Sequence, residues 1–302
     1  MRNQLMTNPQ PLVKEVFTAA MFTAADVSRV RELTEAETAE ALAFLSVRPV
    51  HTVVMTSFIN DNGVRSELNR GKFFGSRNAE GKLEGIALIG HTTLIEARTE
   101  QALAAFAETA KSSETPIHLI MSHGAAAESF WNYYSNGLTT PRLTCVEKQF
   151  EVSFPFAVSK SNNGVRPAKV EELLPIAEAQ AEVAFMESGV DPMLKDREGF
   201  LKRVLRRIEQ GRVFVVFEGD KLVFKADIIA ETGDVAYLEG VYVAPSHRGR
   251  GVGSACLAEL TVELLGRVSN LCLLSNVGFE EAHRSYFRAG YRVTDQCTTL
   301  FV

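Results

Sequence analysis

The chain is poor in cysteine and histidine and has no long apolar run, and each shortage closes off a class of protein. Four cysteines, Cys145, Cys256, Cys272 and Cys297, are scattered over 302 residues with no C-x-x-C pair and no histidine at metal-ligand spacing. That pattern argues against a metal site, a redox pair or a disulfide framework and for buried thiols. No stretch reaches the roughly 18 consecutive apolar residues of a membrane helix, so no membrane partner is expected. The patch holding Val16, Phe17, Met21 and Phe22 is broken by threonine and weakly preceded by basic residues. It makes a poor signal peptide, and a cytoplasmic address is expected. There is no excess of positive charge either: 32 lysines and arginines face 37 acidic residues, for a net charge of −5. A phosphate-neutralising surface for nucleic acid is therefore not expected, and a weak pull on cationic molecules is. What is present, 46% hydrophobic and 23% charged residues, is ordinary globular composition, and the length exceeds the roughly 100 to 200 residues of one domain.

The most informative stretch runs Leu238-Glu239-Gly240-Val241-Tyr242-Val243-Ala244-Pro245-Ser246-His247-Arg248-Gly249-Arg250-Gly251-Val252-Gly253. A strand breaks at a proline and enters a glycine-rich turn. Beyond Ser254, the residues Leu257, Leu260, Leu264 and Leu265 share one face at helical spacing, so the glycines open a helix. The start of a helix offers unpaired N–H groups and the positive end of the macrodipole, and residues without Cβ let a diphosphate come close. Arg248 and Arg250 add positive charge. No Lys-Ser or Lys-Thr pair follows, so this is not a nucleotide P-loop. A dinucleotide fingerprint would need an acidic residue about 20 positions on, at the end of a second strand.

The order Arg248-Gly249-Arg250-Gly251-Val252-Gly253 after a Val-x-Val strand resembles the acyl-CoA signature of the GNAT family of N-acetyltransferases. The resemblance continues through the apolar strand from Asn270 to Asn276 and the helix carrying Ala282, Tyr286 and Phe287, which stops at Gly290-Tyr291. It implies an α/β fold with a mixed sheet and acetyl-CoA as co-substrate. The donor would be held by Val241, Tyr242, Val243, Arg248, Gly249, Arg250, Gly251, Val252, Gly253 and Ser254, with Asn276 supplying an amide. Where the family often has Asn, three residues before Ala282, this chain has Phe279. In that family a tyrosine at the position of Tyr286 protonates the departing thiolate, a role suited to a phenol with a pKa near 10.

Two halves of the chain repeat one another. Val30-Arg31-Glu32-Leu33 and Val165-Arg166-Pro167-Ala168 each open a strand and a helix, the first helix carrying Ala41, Phe44 and Leu45 and the second Leu174, Ile176 and Ala177. Residues 71–74 and 81–89 parallel 211–214 and 220–228 as strand, turn and strand, and Tyr133-Tyr134-Ser135-Asn136-Gly137 echoes Tyr286-Phe287-Arg288-Ala289-Gly290. Ordered agreement at three places argues for duplication of one αβ unit. Two tandem GNAT-like domains follow, 1–158 and 159–302, joined near the polar stretch 159–164. The first half runs His91-Thr92-Thr93-Leu94-Ile95-Glu96-Ala97-Arg98-Thr99-Glu100 where the second has its glycine turn, with no glycine and two glutamates to repel a pyrophosphate. It is expected to have lost the coenzyme and to shape the acceptor pocket, cover the second domain or form a homodimer.

The chemistry implied is transfer of an acetyl group to a primary amine. Such an amine is protonated near neutral pH, so the site must take its proton, hold it beside the acyl carbon and stabilise an oxyanion. If the chain splays apart after Val243, the N–H groups of Val241 and Val243 lose their strand partners and bind the donor. Glu239 is the candidate base, because it alternates with Val241 and Val243 and so points to their face. Family members commonly place this glutamate two residues earlier, at the position of Tyr237. His247 is expected to face solvent or the coenzyme phosphates, and His283 to lie on the exposed side of the last helix. Phe185, Met186, Phe200 and Val204 serve either as an apolar pocket wall or as core. Two other readings stay open: a non-catalytic acyl-CoA sensor needing neither Tyr286 nor Glu239, and a transferase using charged tRNA, which would need a basic groove.

Overall fold

The computed structural model describes residues 25–154 and 162–302. The patch from Val16 to Phe22 lies outside them, as does the start of the linker. The first repeat runs β1 (Val30–Glu32), α1 (Thr38–Leu45), α2 (Val53–Asn62), β2 (Gly71–Arg77), β3 (Leu83–Gly90), β4 (Thr92–Ala97), α3 (Glu100–Lys111), β5 (Leu119–His123), α4 (Ala126–Ser135) and β6 (Leu143–Ser153). The second runs β7 (Arg166–Pro167), α5 (Leu173–Ser188), a short α6 (Pro192–Lys195), α7 (Arg197–Glu209), β8 (Val213–Glu218), β9 (Lys221–Glu231), β10 (Val235–Val243), α8 (Val252–Leu264), β11 (Asn270–Asn276), α9 (Glu280–Arg288) and β12 (Arg292–Phe301). Apart from α6 the two orders match element for element, which supports the duplication argued from sequence.

All the strands join one 12-stranded mixed sheet in the order β1-β2-β3-β4-β5-β12-β6-β11-β10-β9-β8-β7. The repeats exchange their last strands. β6, which ends the first repeat, pairs antiparallel with the whole of β11, from Asn270↔Ser153 to Asn276↔Glu147. β12, which ends the second, pairs with β5 from Cys297↔His123 to Phe301↔Leu119, and β6 and β12 pair with each other at the centre. Residues of the first repeat are thereby carried into the second repeat's half of the sheet.

Helices cover both faces. Leu257, Leu260, Leu264 and Leu265 of α8 and its C-terminal turn are buried with Tyr286 of α9 against Phe224, Ala226, Ala236 and Leu238, as their spacing predicts. On the other face Ile176, Ala177 and Ala181 of α5 and Phe200, Val204 and Ile208 of α7 close over Val213 and Val215, while Val53 of α2 packs with Tyr237 and Cys272. Phe200 and Val204 are thus core, whereas Phe185 and Met186 are 55% and 52% exposed. Leu174 is half exposed, against expectation, because α5 turns Ile176, Ala177, Gln180 and Val183 inward. All four cysteines are buried free thiols. Among the described residues no helix is long and apolar enough to cross a membrane.

The exchange makes the repeats interdependent, since an unpaired β11 edge would be open to non-native pairing. A fragment of residues 162–302 expressed alone is expected to be insoluble or self-associated, and co-expression with residues 1–154 to restore a soluble complex. A monomeric, cooperatively unfolding 162–302 fragment in sedimentation and thermal melts would contradict the pairing.

Candidate active site

β10 and β11 run parallel from Val235↔Asn270 to Leu238↔Leu273 and then part. The parting comes before Val243, earlier than the sequence suggests, and its cause is a bulge. On the β9 side the register passes from Glu239↔Asp227 to Tyr242↔Lys225, so Gly240 and Val241 together face Ala226. Gly240 adopts φ +61°, and a Cβ there would lie 2.4 Å from Gln180 Oε1 and 2.9 Å from Lys225 Nζ. The extra residue also reverses the alternation. Val241 and Val243 pack toward the α8 face with Leu238, whereas Glu239 follows Tyr237 onto the opposite face. The expectation that Glu239 shares a face with the two valines therefore fails, since strict alternation assumes an unbroken strand.

Ala244 N–H donates to Val223 O of β9 at 2.9 Å, so the N–H of Val243 turns to the edge that β11 has left. The bulge interrupts the same alternation at Val241. After one turn of 3₁₀-helix at Pro245–His247, Gly249 and Gly251 take φ +73° and +82°, and a Cβ on either would meet nothing within 4 Å. Gly253 is needed for a different reason: its Cβ would meet Val243 Cγ2 at 2.9 Å. The N-cap of α8 is Gly251, with no side chain capping the first turn, so N–H groups there are left for a ligand. Ser254 turns its hydroxyl back to Gly251 O at 2.9 Å. Arg248 also folds back: its Nε donates to Val243 O at 2.8 Å and its Nη2 to Glu182 at 3.0 Å, with the guanidinium 5.7 Å above the Tyr242 ring. Arg250 is exposed beside the turn. His247 is held by Glu218 at 3.2 Å. Asn276 is a turn-former whose Oδ1 accepts from Gly278 N at 2.9 Å.

Across the sheet lies a group of acids. Glu239 on β10, Glu187 at the end of α5 and Glu147 on the exchanged strand β6 are close enough to perturb one another. Burial pushes the Glu147 carboxyl up to about 7, partly offset by the Thr299 hydroxyl, which donates to it at 2.5 Å, and Glu239 adds to the rise. Glu187 is raised to about 8, by burial first and then by Glu239 and Glu147, with Lys225 opposing. Glu187 is solvent-exposed at the C-terminal end of α5. Burial also raises Glu239, against the pull of Arg207 and Lys225. Beneath them Lys225, fully buried, reaches Asp227 at 2.7 Å, Gln180 Oε1 at 2.5 Å and Gly240 O at 3.2 Å, and Arg207 meets Asp227 at 3.0 Å. Tyr286 is 7% exposed, its ring edge-on to Phe150 at 5.1 Å. Burial raises its phenol to about 12, the Ser275 hydroxyl opposes this, and Glu187 adds to it.

His283 is not on the surface: it is 4% exposed, its ring tilted against Phe150 at 5.1 Å and hydrogen-bonded to Asn276 O at 3.0 Å. α9 turns it toward the β6–β11 seam, which only the strand exchange creates. The same exchange hides Glu147 from sequence reasoning. The polar stripe Cys145-x-Glu147-x-Gln149-x-Glu151 on one strand face is the signal that could have drawn attention to it.

The first repeat parts its strands at the matching place, beyond Leu94↔Met121, leaving a cavity of about 270 Å³ lined by Arg98, Thr99, Glu100 and His123 among others. There Thr99 Oγ1 caps Ala102 N at 3.2 Å and Glu100 opens α3, so the anion-binding groups are already satisfied or opposed. Glu96 is not in the turn but buried on β4 and paired to Arg48 at 3.1 Å. Another cavity, of about 340 Å³ against α7, is lined by Arg197, Leu201 and Lys202 and lies away from these groups.

Residues 209–293 match the family model of the acetyltransferase (GNAT) domain. None of the curated proteins matches the sequence. Among solved structures, a Drosophila protein is similar with a TM-score of 0.67 at 14% identity, covering 91% of this chain and 98% of its own. A GNAT-family acetyltransferase from Colwellia psychrerythraea gives 0.57 at 13% identity over 90% and 98%. A tandem GNAT protein of the clavulanic acid pathway gives 0.55 at 11% identity over 90% and 98%. At these identities the structures establish the fold, that of the GNAT acetyltransferases over most of the chain, and the domain match identifies residues 209–293 as a GNAT acetyltransferase domain.

Proposed function

We propose that the protein is an N-acetyltransferase that moves an acetyl group from acetyl-CoA to a primary amine by direct attack in a ternary complex. The observation that carries this reading is the parting of β10 and β11 beyond Leu238 and Leu273 next to the uncapped, glycine-led start of α8. The α8 N–H groups take the pyrophosphate, with Arg250 at the rim. The free Val243 N–H takes an acceptor atom of the donor, in the manner of an added strand. The acceptor amine enters from the Glu239 face. Glu239 takes one proton from the ammonium, the freed nitrogen attacks the acetyl carbon, and the carbon–sulfur bond breaks as Tyr286 gives the sulfur a proton. The second proton that the nitrogen sheds on becoming an amide passes to solvent, from which Tyr286 is reprotonated. A phenol held near 12 stays protonated across the physiological range and is ready as that donor. Glu239, raised by burial, is a stronger base than a free carboxylate. A sensor would share the glycine turn but has no use for Glu239 and Tyr286 on either side of the parted strands.

Saturating acetyl-CoA or free CoA, at about 100 times Kd, is expected to stabilise the chain by about 2.7 kcal/mol, visible as a melting shift that NAD does not produce. Gly251→Glu, which puts bulk and negative charge at the helix start, should abolish that shift. An unchanged shift in the variant moves the coenzyme elsewhere.

Tyr286→Phe is expected to lower kcat by about 10²-fold or more while changing the acetyl-CoA KM little. Equal turnover in a thiol-release assay removes Tyr286 from the acid role.

Glu147 generates a pH dependence of stability. It is an acid whose folded pKa lies above its unfolded value, so the folded chain binds more protons and stability falls as pH rises from about 4.5 to about 7. Glu147→Gln should flatten the fall in melting temperature across that window relative to the parent chain. A parallel pair of curves would show the carboxyl to be ionised throughout.

A further inference from the structure

Tyr286 can serve as the acid only if its hydroxyl is held still beside the sulfur, and α9 is a short support for it. Of the nine residues of that helix, His283 and Tyr286 alone are buried. Both meet one side chain from the other repeat. The Phe150 ring, on β6, lies 5.1 Å from the Tyr286 ring at 66°, 5.1 Å from the His283 ring at 45° and 5.5 Å from the Phe287 ring at 66°. Edge-on and tilted contacts at such distances are the attractive ones for aromatic rings. Phe150 has no solvent exposure, and pairing on both sides sets its place, opposite Leu273 of β11 and Val293 of β12. His283 adds a second tie, its Nε2 donating to Asn276 O at 3.0 Å. The other ring contact of Tyr286 among the described residues is with His283 on its own helix, at 6.4 Å. The aromatic contact from the sheet to the phenol therefore comes from the first repeat.

Resting on the acetyltransferase reading, we infer that Phe150 is a positioning residue: carried in by the exchanged strand, its ring fixes the tilt of α9 and with it the reach of the Tyr286 hydroxyl to the sulfur of the donor. Phe150 touches none of the reacting atoms. Its effect runs through Tyr286, and reaction geometry is steep enough for that to matter, since a displacement of about 1 Å can cost about 10²-fold in rate. One ring set edge-on to another also has a preferred angle, which an aliphatic side chain of similar volume does not impose. The first repeat thereby bears on the reaction through packing alone.

The test needs no acceptor. The full chain is titrated calorimetrically with CoA and with desulfo-CoA, which lacks the sulfur, so the ratio of the two affinities reads what the site gains at that atom. The unaltered chain is expected to favour CoA about fivefold, the worth of one net hydrogen bond, and Tyr286→Phe to reduce the preference to about twofold or less. Phe150→Leu should reduce it equally while changing the desulfo-CoA affinity by less than about twofold, and in the Tyr286→Phe chain it should lower the ratio no further. Phe214→Leu opens the same buried core on β8 and should keep the preference. A Phe150→Leu chain that keeps the preference overturns the inference, and so does a Phe214→Leu chain that loses it to the same extent. Phe150→Met, whose flexible side chain repacks more readily, makes the same comparison if the leucine variant does not fold. Absence of CoA binding by the unaltered chain, or a ratio that Tyr286→Phe leaves unchanged, overturns the acetyltransferase reading with Tyr286 as its acid. A preference lost in Tyr286→Phe and kept in Phe150→Leu overturns this step alone.

Discussion

The site depends on one buried ammonium. Lys225, with no solvent exposure, holds Gly240 O while tied to Asp227 and Gln180. Gly240 is where β10 gains its extra residue. That residue accompanies the departure of β10 from β11 and places Val243 and Glu239 on opposite faces of the sheet. An ammonium in such a place is expensive, and burial does pull its proton affinity down, against the attraction of Asp227. A hydrophobic residue of the same size would avoid that cost, but could not hold a carbonyl that the bulge has pulled out of the ladder. The charge holds the geometry of the bulge, and the bulge sets which face each side chain beyond it occupies.

The strand exchange is the second constraint, and it gives the first repeat a function without a coenzyme. Its own strand parting survives, but Thr99 caps the helix that would take a pyrophosphate and Glu100 faces any anion that approached. What the repeat contributes instead is β6, one face of which carries Cys145, Glu147, Gln149 and Glu151 along the centre of the sheet. Paired fully with β11, that strand forms a wall the second repeat could not make alone. The two repeats therefore share one sheet, and strand β6 of the first lies inside the half that holds the glycine turn of the second.

Much of this was legible in the sequence. The glycine turn, the apolar stripe of α8 and the repeated hairpins depend on local spacing, and local spacing survives into the fold. What was not legible depends on pairing between distant segments. Glu147 sits opposite Asn276 and Cys297, contacts that no periodicity within residues 143–153 could announce. Helical spacing sets His283 on the exposed side of α9, yet Phe150 of β6 lies beside it. Alternation along a strand puts Glu239 with the valines, and a single glycine in a left-handed conformation is enough to undo that count.

The same glycine fixes which side chains share a face. Had β10 alternated without interruption, Val241 and Val243 would have followed Glu239 away from the α8 face. The extra residue instead returns them to the start of α8 and leaves Glu239 across the sheet. It also sets Glu239 near Glu147 and Glu187, where burial first, and the neighbouring carboxyls second, raise Glu147 and Glu187 above the ordinary carboxylate range.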